Sequence, residues 1–438
     1  MNVSAQRVHP AVARWMLTLL VLASVLSVGD RMLLGVVTEA VRADLGLSDL
    51  QMALANGLFF ALFHLGGGFL VARLVDWGNR KQILAIGIFV WSIATAATGL
   101  ADDFTSLSIA RFGVGIAEAS VFPAAMSLIP DLFEKKVHGR ALATFQTSGF
   151  IGVMVCSSVA GVVAASFGWR IMFQLFGAVG VVFALLVQLT GREPRRAGPV
   201  SPEAASLNCV ADLAGACGRV IAMPGFFCLA IAFGLAAMVA AVIGSWGPAF
   251  LQRSHGVSLA QVGFAIGLAS GIGGIAGTLF AGMLIDGMAK RAPDRSAAML
   301  RIPIVILPLS VPFLLGFVFA PSIGATVACS GGMSFMLGCA VAPCMTYAVT
   351  CVAPADRGLA SIVMLAAAGL VGSALGPIII ATISDLLAAR LGSESLRYAL
   401  SVLVLAPLSA VLLLVLSRRQ IAVQSMQAAT HGTGEPAG

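Results

Sequence analysis

Charge is scarce in this chain. Only 10% of its 438 residues are Asp, Glu, Lys or Arg, while 59% are hydrophobic and the mean hydropathy is +0.99. A soluble domain carries roughly 25% charged residues, so a soluble fold is excluded and the chain is read as a polytopic membrane protein. Several chemical constellations are also missing. No CxxC occurs, and the eight cysteines fall mostly within apolar runs, where they act as small hydrophobes rather than as a disulfide framework or a metal site. No cofactor is expected. No paired histidines and no nucleophile with its base appear, which argues against an intramembrane enzyme. No phosphate-binding loop appears either, which argues against an ATP-driven pump; Gly271-x-Gly273-Gly274 lies inside an apolar run and fits close helix packing instead.

What is present is a succession of long apolar runs with short polar turns. Six precede a polar stretch: Trp15 to Thr38, Asp49 to Arg73, Gln82 to Leu100, Phe104 to Ile129, Arg140 to Ser166, and Arg170 to Thr190. Six follow it: Gly225 to Phe250, Leu259 to Asp286, Arg301 to Phe319, Ser322 to Val352, Leu359 to Leu386, and Tyr398 to Ser417. Each suffices for a bilayer crossing, which takes about 20 residues. The expected fold is an all-α membrane protein of twelve transmembrane helices in two six-helix bundles. Its domains are a cytoplasmic N-terminus (1–14), the first bundle (15–190), a cytoplasmic linker (191–224), the second bundle (225–417) and a cytoplasmic tail (418–438). The first run passes through Asp30-Arg31 without a small-residue cleavage site, so it is a retained span rather than a signal peptide.

The formal charge of +7 raises the question of an acidic partner such as nucleic acid. Its distribution supplies another cause. With alternate loops assigned to opposite sides, nineteen of the 26 Lys and Arg residues share the face of the termini and five lie on the other, with Arg31 and Arg111 inside spans. The positive-inside rule then makes both termini cytoplasmic; the expected setting is an inner (plasma) membrane, with the lipid bilayer as partner and no nucleic acid.

Two charges stand out because they sit within a span. Arg111 and Glu118 are seven residues apart in the fourth run, which on a helix returns both to one face about 10 Å apart, with Gly115 between them. Facing lipid, each would cost several kcal/mol, so both should look into a bundle interior or a cavity. Span one runs outward and span four inward. Asp30 then lies about 12 Å below the outer end, Arg111 at roughly 10 Å and Glu118 at about 21 Å. Asp30, Arg31, Arg111 and Glu118 should therefore form one cluster of two acids and two bases.

The halves repeat at an offset of 210 residues. Gly46-Leu47-Ser48-Asp49-Leu50-Gln51 corresponds to Gly256-Val257-Ser258-Leu259-Ala260-Gln261, each a capping box with Ser at the cap and Gln three residues on. The following spans end in Asp76 with Arg80-Lys81 and in Asp286 with Lys290-Arg291, an acid opposing the helix dipole four residues before two cations. Parallel six-span repeats suit two bundles that rock about a central cavity.

Asp76 to Lys81, its second copy Asp286 to Arg291, and Arg111-x-x-x-Gly115-x-x-Glu118 are the residues on which the chain resembles the major facilitator superfamily, from about Trp15 to Ser417. Ala72 stands where the family usually has glycine and Trp77 where it usually has arginine. The fifth-span motif is reduced to Gly149, Gly152 and Gly161. Within the superfamily, Asp30-Arg31, Arg42 to Ser48, Phe60-Ala61-Leu62-Phe63, Gly78 to Lys81, Trp91-Ser92-x-x-Thr95 and Arg111 to Ala119 are most similar to the spinster-like branch; the anion:cation symporter family shares the first-span Asp-Arg and the fourth-span pattern. The resemblance implies a monomeric secondary transporter with a cytoplasmic latch at Asp76, Arg80, Lys81, Asp286, Lys290 and Arg291. It also implies protons carried by the matching aspartate and glutamate.

The function expected is alternating-access transport of an organic anion or amphiphilic small molecule, with protons as coupling ion. Arg111 and Arg31 either set a carboxyl pKa or bind a substrate carboxylate or phosphate. The corresponding spans of the second half are uncharged in their interiors, so the cavity should be charged on one wall and apolar on the other. Asn56, His64, Gln146, Trp246 and Tyr347 are further cavity candidates; an intramembrane histidine more often serves as a hydrogen-bonding group between helices. Symport of aromatic or sugar acids is the alternative. A non-transporting sensor is disfavoured because Gln420 to Gly438 is short and featureless.

Overall fold

The computed structural model describes residues 9–194, 215, 217–289, 295–352 and 356–432. Among these, all regular structure is helical. In chain order the helices are α1 (Pro10–Val36), α2 (Thr38–Leu45), α3 (Asp49–Ala53), α4 (Phe60–Trp77), α5 (Arg80–Thr98), α6 (Phe104–Glu118), α7 (Val121–Leu132) and α8 (Lys135–Thr190). They continue with α9 (Phe226–His255), α10 (Leu259–Ala289), α11 (Arg295–Phe319), α12 (Ile323–Thr350), α13 (Arg357–Ala367), α14 (Gly376–Leu391), α15 (Ser395–Ser401) and α16 (Leu405–Gly432). One-turn π-helices, Leu54–Phe59 and Ala368–Leu375, join α3 to α4 and α13 to α14 without leaving the helical path.

Among the described residues, ten stretches are long and apolar enough to cross a membrane, and two of these, Arg140–Thr190 and Arg357–Gln420, have more than twice the length one crossing needs. Each contains a glycine in the left-handed region, Gly168 (φ 84°) and Gly392 (φ 54°), a conformation that a Cβ disfavours. The chain reverses at both. Phe145 packs with Met16 in one buried cluster and Thr190 accepts from Trp15 Nε1 at 3.0 Å, so both ends of α8 lie beside the start of α1. Its middle lies beyond the other end of α1, where Trp169 Nε1 donates to Asp44 at 3.1 Å. At the second reversal Ser384 and Ser395 hydroxyls stand 3.3 Å apart. With both reversals counted, the helices make the twelve passes expected.

The interruption of the fourth span also has a sequence cause. Pro123, at the third position of α7, has no N–H to give the Ala119 carbonyl, and its ring crowds that carbonyl. α6 therefore stops at Glu118 and α7 starts at Val121. The start of span two carries the expected capping box, Ser48 with Gln51. Its repeat copy differs, because the Ser258 hydroxyl donates to Gln261 Oε1 at 3.0 Å instead of accepting from an amide.

The helices pack as two compact units. One comprises Met1–Ser206 with Ile243–Ile272 and Pro377–Leu396; the other comprises Leu207–Val242, Gly273–Gly376 and Arg397–Gly438. Lipid removes the hydrophobic drive between helices, so small residues that let backbones approach set the contacts. In the first unit a Cβ on Gly29 would lie 2.2 Å from Cys156 Sγ, one on Gly152 2.6 Å from the Val25 carbonyl, and one on Gly161 2.8 Å from the Leu259 carbonyl. In the second, Gly273 and Gly277 of α10 meet the Gly331 and Phe335 carbonyls of α12 as closely. Outside the spans, the Arg170 hydrogen bond holds the Asp44 carboxyl below its ordinary range. That pair therefore favours the fold above the usual aspartate pKa and loses its effect as pH falls through the lowered one.

Candidate functional site

α6 begins with Asp103 and Ser106 in a reciprocal cap, and its register carries Arg111 and Glu118 to one buried face. Arg111 is 0% and Glu118 1% exposed. Gly115, one turn from Arg111 and nearly one from Glu118, lets α4 come close: a Cβ there would be 3.0 Å from the Phe60 carbonyl, and one on Gly67 2.9 Å from the Ile116 backbone. α1 supplies Asp30, also buried, and Arg31, whose side chain keeps 34% of its exposure.

The four charges expected to meet do meet, as two pairs. Arg31 Nε donates to Glu118 Oε1 at 2.5 Å, and Arg111 Nη1 stands 3.6 Å from Asp30 Oδ2. Ser27 Oγ donates to Glu118 Oε1 at 2.7 Å and Thr95 Oγ1 to Asp30 Oδ1 at 2.8 Å. His64 joins them: its Nδ1 lies 3.3 Å from the Gly115 carbonyl and its Nε2 3.2 Å from Arg31 Nη2. A carbonyl only accepts and a guanidinium only donates, so the imidazole must be the neutral Nδ1–H tautomer. Both guanidinium groups lie over the Phe60 ring, Arg31 Cζ 5.3 Å and Arg111 Cζ 5.8 Å from its centroid, and the ring stacks on His64 at 5.2 Å.

Hydrogen bonding in this cluster is incomplete. Asp30 Oδ2, Glu118 Oε2, and Arg111 Nε and Nη1 are buried without hydrogen-bond partners. Each carboxylate has one oxygen held and one open, and the buried guanidinium has open donors beside them. Such an arrangement can accept a proton at either carboxylate, or an anion at either arginine.

The remaining candidates disperse. Trp246 is buried and donates from Nε1 to the Pro377 carbonyl at 3.2 Å, which is a packing contact. Asn56 is half-buried in the first π-helix and Gln146 is exposed. Tyr347, in the second unit, borders a recess of about 250 Å³ with Met223, Phe226 and Cys351. Of the latch residues, Lys290 and Arg291 lie outside the described residues, as do the side chains of Asp76 and Asp286. Arg80 is 1% exposed and spends its guanidinium on Asp131 (2.5 Å), Glu193 (2.6 Å), Ser127 and the Pro194 carbonyl. Lys81 gives its amide to Glu193 and its ammonium to the Gln188 carbonyl. Nothing in the sequence marks Asp131 and Glu193 as the partners of Arg80. In the sequence Phe60 and Thr95 stand out only as points of resemblance and Ser27 not at all, although Ser27 and Arg31 are four apart on one helix face.

Residues 20–307 match the description Major Facilitator Superfamily. The chain belongs to this superfamily. Its members are transporters, which places this one among transporters and not enzymes. A major-facilitator-type efflux pump of Mycolicibacterium smegmatis is 31% identical over 389 residues, 88% of each chain. A probable galactarate/D-glucarate transporter of Bacillus subtilis is 25% identical over 320 residues, 67% of this chain and 69% of its own length. Among solved structures, a bacterial homologue of the human lysosomal transporter Spinster, in an inward-facing and unoccupied conformation, superposes with a TM-score of 0.81 at 25% identity, covering 93% of this chain and 97% of that one. The two branches that the sequence resembles are thus both represented among its relatives.

Proposed function

We propose that this major facilitator is a proton-coupled secondary transporter that moves an organic anion or amphiphile across the inner membrane by alternating access, with both termini cytoplasmic and the bundles at 15–190 and 225–417 as its moving bodies. The observation that carries the reading is the pair of buried carboxylates, each with one unmatched oxygen, beside arginines that either a carboxylate or a substrate anion can engage. Burial penalises the charged form of an acid and a neighbouring guanidinium favours it, so motion that alters the Arg31–Glu118 or Arg111–Asp30 distance moves a proton on or off. Protonation of Glu118 removes the attraction holding Arg31 Nε and leaves that half-exposed guanidinium to a substrate carboxylate or phosphate, for which its planar fork is suited. His64, neutral in its tautomer, orients Arg31 for both partners.

A sugar-acid substrate is the second reading, favoured by the substrates in the names of the galactarate/D-glucarate relatives. Uptake into liposomes under an imposed pH gradient, with a panel of sugar acids, aromatic acids and lysolipids, tests both. Gradient-driven flux of one class is expected. Glu118→Gln and Asp30→Asn should abolish the gradient dependence while ligand binding persists. Flux that ignores the gradient and survives both substitutions would make the cluster structural.

A further inference from the structure

A second charged network lies at the outer ends of the helices in the same compact unit. Arg253, near the end of α9, forks onto Asp49 at the first position of α3: Nη1 reaches Oδ2 at 2.8 Å and Nη2 reaches Oδ1 at 2.7 Å. Its Nε reaches Glu39 of α2 at 2.6 Å. Side-chain exposure is 10% for Arg253 and 4% for Asp49, so the fork is largely desolvated. Arg42 braces the same acids, 2.7 Å from Glu39 and 3.6 Å from Asp49. From α14, Ser384 Oγ donates to Asp49 Oδ2 at 2.8 Å, and both oxygens of Asp385 accept from the backbone at the start of α3, from Asp49 N at 3.1 Å and Leu50 N at 2.9 Å. Asp385 thus sits on the positive end of a helix that runs on through the π-turn into α4. The partners are separated by more than 200 residues of sequence. Nearby, a Cβ on Gly35 would lie 2.5 Å from the Gly244 carbonyl, so α1 and α9 touch backbone to backbone below the network.

We propose that this network is the outer lock of the transport cycle, with Arg253 as its key and Asp385 as its second bolt; the inference rests on the alternating-access reading above. Three features make it a lock rather than general packing. Every ion pair of Arg253 reaches the first half of the sequence, so α9 cannot part from α2 and α3 without breaking all of them together. Asp385 ties α14 to the same helix start through backbone amides, which no side-chain movement of α3 can release. The contact beneath is backbone on backbone at Gly35 and Gly244, and the hydrogen bond beside it, from Thr38 Oγ1 to the Ser245 carbonyl at 3.4 Å, is long. Parting leaves Glu39, Asp49 and Asp385 with Arg42 as their one remaining cation within the network, and water at the open mouth would solvate them.

The test is the distance between spin labels on the exposed Ala43 and Ser258, in full-length protein with its native cysteines replaced, reconstituted in liposomes without substrate. The parent should show a predominantly short distance. Arg253→Gln should raise the long-distance population at least about tenfold, with Arg253→Lys, which keeps the charge and loses the fork, in between. Asp385→Asn should shift it in the same direction, and provides the readout if Arg253→Gln does not fold. Unchanged distributions in Arg253→Lys and Asp385→Asn would overturn the lock. The measurement involves no pH gradient and no substrate, so a failure of proton coupling in the uptake assay leaves it standing, and a failure here leaves the uptake result standing.

Discussion

Phe60 carries an unusual load for a single apolar residue. Its ring lies within 6 Å of two guanidinium carbons and stacks on a histidine, in surroundings where a cation–π contact is worth about 1–2 kcal/mol. Phe60→Leu keeps most of the buried volume and removes the ring face. It should lower the unfolding free energy in detergent by about 1–2 kcal/mol and weaken the hold on Arg31. A melting temperature equal to the parent's would show that the ring only fills space. The charged residues of the cluster were legible in the sequence because a charge in an apolar run is costly and the helical period settles its face. Ser27, Thr95 and Phe60 were not, because a hydroxyl in a membrane helix usually bonds its own backbone, as Ser92 does to the Ile88 carbonyl, and a phenylalanine there is ordinary.

At the scale of the element, glycines decide which helices approach, and two of them separate backbone from side-chain constraint. A methyl on Gly29 would strike the Cys156 sulfur at 2.2 Å, whereas one on Gly152 would strike the Val25 carbonyl oxygen at 2.6 Å. Both Ala variants should destabilise the α1–α8 contact by roughly 1–3 kcal/mol, the usual cost of overpacking. Because the Cys156 Cβ would also lie 2.5 Å from the Gly29 methyl, Cys156→Gly, which removes both atoms, should recover much of the loss for Gly29→Ala and little for Gly152→Ala; equal rescue in thermal melts of the two double variants would refute this assignment. The apolar runs were legible as spans to within several residues. The stop after Glu118 was not, although Pro123 announces it in retrospect, since proline is common in membrane helices and need not break them. The second capping box is half formed, Gln261 Oε1 accepting from the Ser258 amide at 3.4 Å, and its other half is lost for a local reason. The Ser258 hydroxyl has a side-chain partner in Gln261 and takes it.

The 210-residue repeat and the basic loops are properties of pattern that do not depend on any one contact, and the two-bundle division and the orientation drawn from them belong to the proposed mechanism. On the proposed orientation, a phosphatase fused after Gly256 should be active outside the cell, and a fluorescent protein fused after Gly432 should fluoresce inside. The reverse pattern would invert every depth assigned to the cluster. The outer network was not legible. Asp49 and Arg253 sit near helix ends and Asp385 near the end of its apolar run, where charges are unremarked, and nothing local links residues 204 and 336 positions apart.

The buried cluster also has an electrical consequence. Asp30, Arg31, Arg111 and Glu118 sum to zero, and the tautomer of His64 adds nothing. Empty, the site responds little to membrane voltage. One bound proton makes it a unit positive charge, which gains about 2.3 kcal/mol for each 100 mV it crosses completely. A monoanion carried with that proton would cancel this pull, and a doubly charged sugar diacid would reverse it. Under the proposed mechanism, the current that accompanies transport therefore reports the valence of the cargo, and a potassium–valinomycin clamp on the same liposomes would read it without any chemical identification.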